Sequence, residues 1–260
     1  MAPGNKESEK LRERFDISPM GSGRVLKSER LETAAPLAAE RNLRDLVRIN
    51  RWFGGHRVLL QVFEKLVHPL DRFSVLDVGA ASGDAAKRIK ARYRNASVVS
   101  LDHQVTHLGA AAQPRVTAEA SALPFRERSF DFVLCSLLLH HFADGCAVAL
   151  MAQLRRFARQ AVIVVDLERH PAAYAFLPLT RFLFNWSELT IYDGCISVAA
   201  GFKEKELASI AKRAGADRTL IHRHWPWFRI SVVIPSEAAP ARTFEHANSV
   251  ATIFAGSRID

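Results

Sequence analysis

Residues 75–84, with the sequence VLDVGAASGD, restrict the fold of this chain more than any other feature. A short apolar run leads into a turn that contains Gly79 and Gly83, and a helix-forming stretch follows directly. A second apolar run ends at Asp102, 19 residues after Gly83. Because a strand that turns through glycines into a helix is the first unit of an open α/β sheet, this pattern predicts a ligand site at the carboxyl ends of the strands.

Further apolar runs predict the remaining strands. We expect strands at residues 73–78, 97–101, around 116, 130–135, 161–165, 218–221 and 228–234, with helices between most of them. Continuous apolar strands that alternate with helices indicate a parallel sheet covered on both faces. The sequence therefore predicts an α/β, Rossmann-like fold with a seven-stranded, mostly parallel sheet and an antiparallel last strand.

The chain divides into four expected parts around this sheet. Residues 1–36 are charged and broken by proline and glycine, so we expect a flexible N-terminal segment. Residues 37–72 are expected to form a helical cover, and residues 73–235 the main domain. Residues 170–198 are an aromatic insertion in that domain, and residues 236–260 are a tail without a strong pattern.

Composition excludes several classes of protein and partner. The net charge of +9 is spread along the chain, whereas a nucleic-acid footprint concentrates its charge on one face, so no nucleic-acid partner is expected. No apolar run approaches the ~18–20 residues of a membrane span, and the N-terminus lacks the apolar stretch of a secretory signal. The three cysteines form no CxxC pair, which favours the reducing cytoplasm.

The residues at the glycine turn distinguish between two nucleotide cofactors. A dinucleotide fingerprint that begins at Gly79 would need glycine at positions 81 and 84, where this chain has Ala81 and Asp84. A carboxylate at position 84 would repel a pyrophosphate. S-adenosyl-L-methionine has no phosphate and carries a sulfonium and an ammonium, so Asp77 and Asp84 suit it. The charge pattern therefore favours S-adenosyl-L-methionine.

Three blocks of sequence together resemble one enzyme family. VLDVGAASGD, LDHQ and AEASALPFRERSFDFVLCSLLLHHF are similar to the class I S-adenosylmethionine-dependent methyltransferases, in particular to the ubiquinone/menaquinone methyltransferase branch. The stretch RDLVRINRWFGGHRVLL also resembles the leader of small methyltransferases associated with type III polyketide synthases. The resemblance implies a methyltransferase of secondary metabolism that acts on a small aromatic, quinol or polyketide-like acceptor, more at oxygen than at carbon.

The resemblance also implies which residues bind the cofactor. The turn after the first strand shapes the methionine pocket, Asp102 binds the ribose hydroxyls, and His103 lies against the adenine. Ala81 replaces the family's middle glycine, and Glu119 replaces its usual aspartate beside the adenine amine. The full set is Arg48, Asn50, Gly55, Asp77, Gly79, Ala80, Ala81, Gly83, Asp102, His103, Glu119, Ala120, Ser136 and Leu137.

Catalytic candidates follow from the needs of methyl transfer to oxygen. A phenol has a pKa near ~10, so a base near neutrality helps. His140 and His141 follow the fourth predicted strand, where the methyl group must lie, and histidine has a suitable pKa. Asp193, in the insertion, is a candidate to orient a histidine or a substrate hydroxyl. The aromatic insertion predicts a lid over a flat, lipophilic acceptor, with extra core or a homodimer contact as the alternatives.

Metal binding and two other functions are weighed against this hypothesis. No metal site is predicted, because the pairs His103/His107 and His222/His224 each lack a third ligand nearby. An RNA or protein methyltransferase is the first alternative, weakened by the dispersed charge. A cofactor-binding scaffold without catalysis is the second, weakened by the intact cofactor motif.

Overall fold

The computed structural model describes residues 23–236, so the expectations for residues 1–22 and 237–260 lie outside the described part. Within it the chain forms a seven-stranded sheet with the order β3-β2-β1-β4-β5-β7-β6. Strand β7 runs antiparallel to β5 and β6, and the other neighbouring strands are parallel. The strands are β1 Phe73–Val78, β2 Ala96–Asp102, β3 Arg115–Thr117, β4 Phe130–Ser136, β5 Ala158–Leu167, β6 Leu220–His224 and β7 Arg229–Pro235.

Helices cover both faces of this sheet, as predicted. Helices α4 and α7 pack with one face of the strands in a core around Met151 and Leu207, and α2 and α3 pack on the other around Phe63 and Ile89. No helix among the described residues is both long and apolar enough to cross a membrane. The helices are α1 Pro36–Trp52, α2 Gly55–Glu64, α3 Asp84–Arg92, α4 Asp144–Phe157, α5 Pro171–Phe184, α6 Glu188–Ala200 and α7 Glu204–Arg213.

The central strand β1 shows why its sequence is almost continuously apolar. Successive side chains of a strand point to opposite faces. Leu76 and Val78 accordingly enter the core under α4 and α7, while Phe73 and Val75 enter the core under α2 and α3. Both faces are covered, so both sets of side chains must be apolar.

A glycine positions the helical cover against the sheet. Gly54 separates α1 from α2 and adopts φ 83°. A β-carbon at this position would lie 2.3 Å from the ring of Trp227, in the turn between β6 and β7. Only glycine therefore permits both the backbone conformation and the close approach of the cover to this turn.

The aromatic insertion forms two helices, α5 and α6, joined by a corner at Asn185. Trp186 is buried at this corner, and its ring stacks on Phe184 and contacts Phe53 from the cover. Phe182, in contrast, is 91% exposed. Phe182 therefore takes no part in a buried aromatic lid, because the outer face of α5 points to solvent.

Residues 23–33 form a strap that packs on the main domain, which corrects the expectation of a flexible segment for these residues. Arg24 donates hydrogen bonds to the carbonyls of Ala200, His140 and Phe142, and its guanidinium lies over the Phe202 ring. The Arg24 side chain is only 4% exposed. The sequence suggested mobility because the strap has few apolar residues. The strap is held instead by the hydrogen bonds and the ring contact of Arg24.

Candidate active site

Four parallel strands bring polar residues to one edge of the sheet. Asp77 lies near the carboxyl end of β1, Asp102 at that of β2, Ser136 at that of β4, and Asp166 near that of β5. These strands are neighbours, so the four residues share the edge where α/β sheets bind ligands. Asp166 was missed as a site residue, although it closes an apolar strand as Asp102 does.

Asp77 is a buried carboxyl group without a complete set of partners. It is 1% exposed, and its Oδ2 has no hydrogen-bond partner in the part of the chain that the structure describes. Burial raises the pKa of Asp77 to about 8, and the neighbouring carboxylates of Asp84 and Asp102 add to this effect. A cationic group at this place would restore the charged form. The ammonium of S-adenosylmethionine fits that requirement.

The glycine turn after β1 has left-handed backbone conformations and packs closely on its neighbours. Gly79 has φ 74°, and a β-carbon there would lie 2.8 Å from Leu138 in the loop after β4. Ala81 has φ 43°, in the left-handed region, and its N–H donates to Oδ2 of Asp102 at 2.9 Å. Ala81 thus takes a conformation that favours glycine, which explains the family's glycine at this position. Ala80 is buried at the start of the turn.

The Asp102 carboxylate is fixed by several donors. Ala81 N–H bonds to Oδ2, and Gln104 N–H bonds to Oδ1 at 3.0 Å. The Nδ1 atoms of His103 and His107 lie 3.3 Å and 3.6 Å from Oδ1. Although burial opposes ionisation, the contacts with His107, Gln104 and Ala81 together lower the pKa of Asp102. A carboxylate offers about four acceptor positions, so ribose hydroxyls can still bind.

Two predicted adenine-side residues lie near β3 on the accessible surface. Glu119 is exposed and Ala120 is half-buried, in the loop that follows β3. His103 has 45% of its side chain exposed, which leaves its ring accessible beside the site. The roles of these three residues in adenine binding stay predictions.

The helical cover contacts the start of α3. His56 Nε2 lies 2.8 Å from Oδ2 of Asp84, and Asn50 Nδ2 lies 3.4 Å from the same oxygen. Burial opposes ionisation of Asp84, but the contacts with His56, Asn50 and the backbone of Ala85 together outweigh it and lower the pKa of Asp84. His56 was not predicted as a site residue. A small cleft here is lined by Asn50, Gly55, His56, Asp84, Ser136, Leu137 and Arg229, among others.

Arg48 does not line this cleft, and its predicted role as a cofactor contact stays a prediction. Its guanidinium binds Asp45 and the carbonyl of Phe184, and it lies over the ring of Trp186. Asp45 in turn accepts hydrogen bonds from Ser187 and Thr190. Arg48 therefore joins the cover to α5 and α6.

His140 forms a buried pair with Asp166. Its Nδ1 lies 2.6 Å from Oδ1 of Asp166, and its backbone N–H donates to Oδ2 at 3.1 Å. Burial disfavours the charged imidazole, but the Asp166 carboxylate outweighs this effect and raises the pKa of His140. Nε2 of His140 is buried and has no hydrogen-bond partner among the described residues.

His141 stacks on His140 and lies beside the strap. The two ring centroids are 4.3 Å apart, and the His141 side chain is 36% exposed. Burial and the neighbouring His140 lower the pKa of His141, which weakens it as a general base. Oε1 of Glu29 lies 4.0 Å from Nε2 of both histidines. Sequence reasoning missed Glu29 because it belongs to a segment without apolar periodicity.

Asp193 holds the strap, which corrects its predicted catalytic role. Its Oδ1 accepts a hydrogen bond from the backbone N–H of Arg30 at 2.9 Å, and its Oδ2 accepts one from Leu31 at 3.1 Å. Ser197, one turn later on α6, donates to the carboxylate of Glu29. Asp193 thus helps to place Glu29 beside the histidine pair.

Sequence comparison relates the central part of the chain to known enzymes. A family model described as a methyltransferase domain matches residues 75–161. Malonyl-[acyl-carrier protein] O-methyltransferase 1 of Coxiella burnetii is 40% identical over 75 residues, which are 29% of this chain and 27% of that protein. The chain therefore matches about a quarter of the length of this curated relative.

Solved structures share the fold at low sequence identity. The plantazolicin methyltransferase BpumL in complex with SAH has a TM-score of 0.60 at 12% identity, covering 89% of this chain and 99% of that one. A SAM-dependent methyltransferase from Aquifex aeolicus has a TM-score of 0.54 at 14% identity, with 78% and 98% covered. These similarities confirm the Rossmann-like architecture predicted from the sequence.

Proposed function

We propose, on the premise that the chain carries a class I S-adenosylmethionine-dependent methyltransferase domain, that it methylates an oxygen atom of a small aromatic, quinol or polyketide-like acceptor. The premise rests on the family match over residues 75–161 and on the cofactor motif at the sheet edge. The match supports the predicted methyltransferase family, enzyme class and cofactor. The acceptor and the acceptor atom are our proposal.

One observation carries the proposal: a cluster of Glu29, His140 and His141 lies beside the cofactor turn. Leu138, two residues before His140, packs on Gly79 of that turn. The cluster also has a buried imidazole nitrogen without a partner, and Asp166 fixes the ring that carries it. These groups are suited to take a proton from an acceptor hydroxyl.

The chain supplies position and proton transfer for this reaction. S-adenosylmethionine supplies the activated methyl group when it is bound. The glycine turn and Asp102 are proposed to orient the cofactor, and the Glu29–His140–His141 cluster to bind and deprotonate the acceptor hydroxyl. Helix α6 and the strap lie over the cluster and help to exclude water.

The sequence relative supports oxygen as the acceptor atom. Its name describes an O-methyltransferase that acts on malonyl-[acyl-carrier protein]. The unpaired state of Cys135, Cys146 and Cys195 supports the proposed cytoplasmic location, where thiols stay reduced.

A labelled-methyl assay tests the proposal. The full chain is incubated with S-adenosylmethionine labelled at the methyl carbon and with phenols, quinols, polyketide-like phenols, a malonyl carrier protein or tRNA. The proposal expects an O-methyl product from at least one small aromatic acceptor. Transfer only to tRNA or protein, or only to carbon, would contradict it.

A matched pair of histidine variants tests the role of the cluster. His140→Gln is expected to lower kcat by roughly 10²–10⁴-fold, the usual contribution of acid–base groups. His222→Gln, on the edge strand β6, serves as the control and is expected to keep wild-type kcat. Equal rates for the two variants would remove His140 from the reaction.

A further inference from the structure

We infer that Glu29, His140 and His141 form a binding site for a divalent transition-metal ion such as Zn²⁺. One ligand atom from each residue lies within 4.8 Å of the other two. Two histidines and one carboxylate are the ligands of many catalytic zinc sites, which keep a further position open. The sequence predicted no metal site, because its histidine pairs lacked a third ligand nearby in the chain.

His140 has the environment of a metal-binding histidine. Its Nδ1 faces the carboxylate of Asp166 at 2.6 Å, so the hydrogen bond places the proton on that side of the ring. Nε2 then carries the lone pair and lies 4.0 Å from Oε1 of Glu29, in a buried place where it has no hydrogen-bond partner among the described residues. Ligating histidines almost always donate their other ring N–H to a carboxylate or carbonyl in this way.

Several independent contacts bring Glu29 to the histidines. Arg24 binds the carbonyl of His140 on one side of it, and Asp193 binds the backbone of Arg30 on the other. Ser197 donates to the Glu29 carboxylate itself. The strap is therefore anchored before and after Glu29, so its approach to both imidazoles is a built feature of the fold.

Only a small contraction is needed to bind an ion. Bonds of ~2.0–2.1 Å in a tetrahedral site place neighbouring ligand atoms about 3.3–3.5 Å apart. The present Glu29–histidine separations are 4.0 Å, so each side chain moves by less than about 1 Å. Imidazole ligands favour zinc and its neighbours, whereas Mg²⁺ and Ca²⁺ prefer sets made of oxygen atoms.

His141 indicates where the open position lies. Its side chain is 36% exposed, while that of His140 is 4% exposed, so the accessible side of the site is next to His141. The ion's role, unlike its binding, rests on the proposed function. With the ion bound, Glu29, His140 and His141 would serve as its ligands in place of acting as the base. An acceptor hydroxyl at the open position would then become more acidic and release its proton to water. Its oxygen then bonds to the methyl carbon, while the electrons of the broken S–CH₃ bond stay on sulfur.

Metal binding is tested on the full chain without any methyl acceptor. The protein is treated with a chelator, dialysed, and titrated with Zn²⁺ by calorimetry and with Co²⁺ by visible absorption. We expect one ion per chain. Glu29→Gln is expected to weaken binding at least tenfold, and Asp166→Asn by 10–100-fold, as for other carboxylates behind a ligating histidine.

Glu40→Gln is the matched control, since Glu40 forms an exposed ion pair with Arg44 on α1 and is expected to leave binding unchanged. Circular dichroism checks that each variant is folded, and His141→Gln replaces Asp166→Asn if that variant unfolds. No bound ion, or equal affinity in Glu29→Gln and Glu40→Gln, would overturn the inference. Bound ion without any methylated acceptor would contradict the proposed function alone, and methylation by a protein that binds no ion would contradict the metal site alone.

Discussion

Binding of S-adenosylmethionine should release a proton from Asp77. With a pKa of about 8, this carboxyl group holds about 0.9 proton at pH 7 in the cofactor-free chain. A nearby ammonium favours the carboxylate and lowers this pKa on binding. Ionising the carboxyl group at pH 7, one unit below its pKa, costs about 1.4 kcal/mol of binding free energy. Below the pKa this cost falls by the same amount for each pH unit, so cofactor affinity is expected to rise about tenfold from pH 6 to pH 7.

Calorimetry in buffers with different ionisation enthalpies measures this proton directly. At pH 7 the wild-type chain is expected to release close to one proton per cofactor bound, and Asp77→Asn close to none. The amide cannot ionise, so its affinity should not change between pH 6 and pH 7. The direction of the pH dependence of stability follows from the same shift. Because the pKa of Asp77 is raised in the folded chain, its contribution to stability falls as pH rises from about 4 to about 8. Equal proton release by both proteins would refute the reasoning.

Three further predictions concern the turn, the strap and the insertion. Ala81→Gly should keep or improve cofactor affinity, because φ is positive there, whereas the β-branched Ala81→Val should lose stability by about 1–2 kcal/mol in urea unfolding. Arg24→Ala should lower the free energy of unfolding by about 2–4 kcal/mol, because it leaves buried carbonyls unpaired; an unchanged urea midpoint would contradict the strap contacts. Trp186→Ala should lower the free energy of unfolding by about 3–5 kcal/mol, because Trp186 is buried. Phe182→Ala should change it by less than about 0.5 kcal/mol, because Phe182 is exposed, and equal losses in urea unfolding would contradict the packing of this insertion.

The strands and the cofactor turn could be predicted because their signals are local. A doubly covered sheet requires continuous apolar strands, and the turn requires glycine at positive φ, so β1 and Gly83 are visible in the sequence. Asp102 follows the same logic, because it ends a strand at a fixed interval after the turn.

The contacts of the strap with His140 and with α6 could not be predicted, because they are long-range and polar. Glu29 lies more than a hundred residues from His140, and Arg24 reaches Ala200 across 176 positions. Neither contact produces a periodic pattern. Asp193 looked catalytic because it is a polar residue in an apolar segment. A carboxylate can also be buried because it accepts hydrogen bonds from backbone amides, and Asp193 accepts two of these from the strap.

The most direct test of the account is a single-turnover measurement of methyl transfer from labelled S-adenosylmethionine to an identified acceptor. We predict that His140→Gln keeps the wild-type cofactor Kd but loses at least a hundredfold in the single-turnover rate. Asp102→Ala is predicted to weaken the cofactor Kd by about 1.5–3 kcal/mol, the scale of hydrogen bonds to a charged group. A wild-type single-turnover rate in His140→Gln would contradict the claim that the cofactor turn and the histidine cluster form one reaction site.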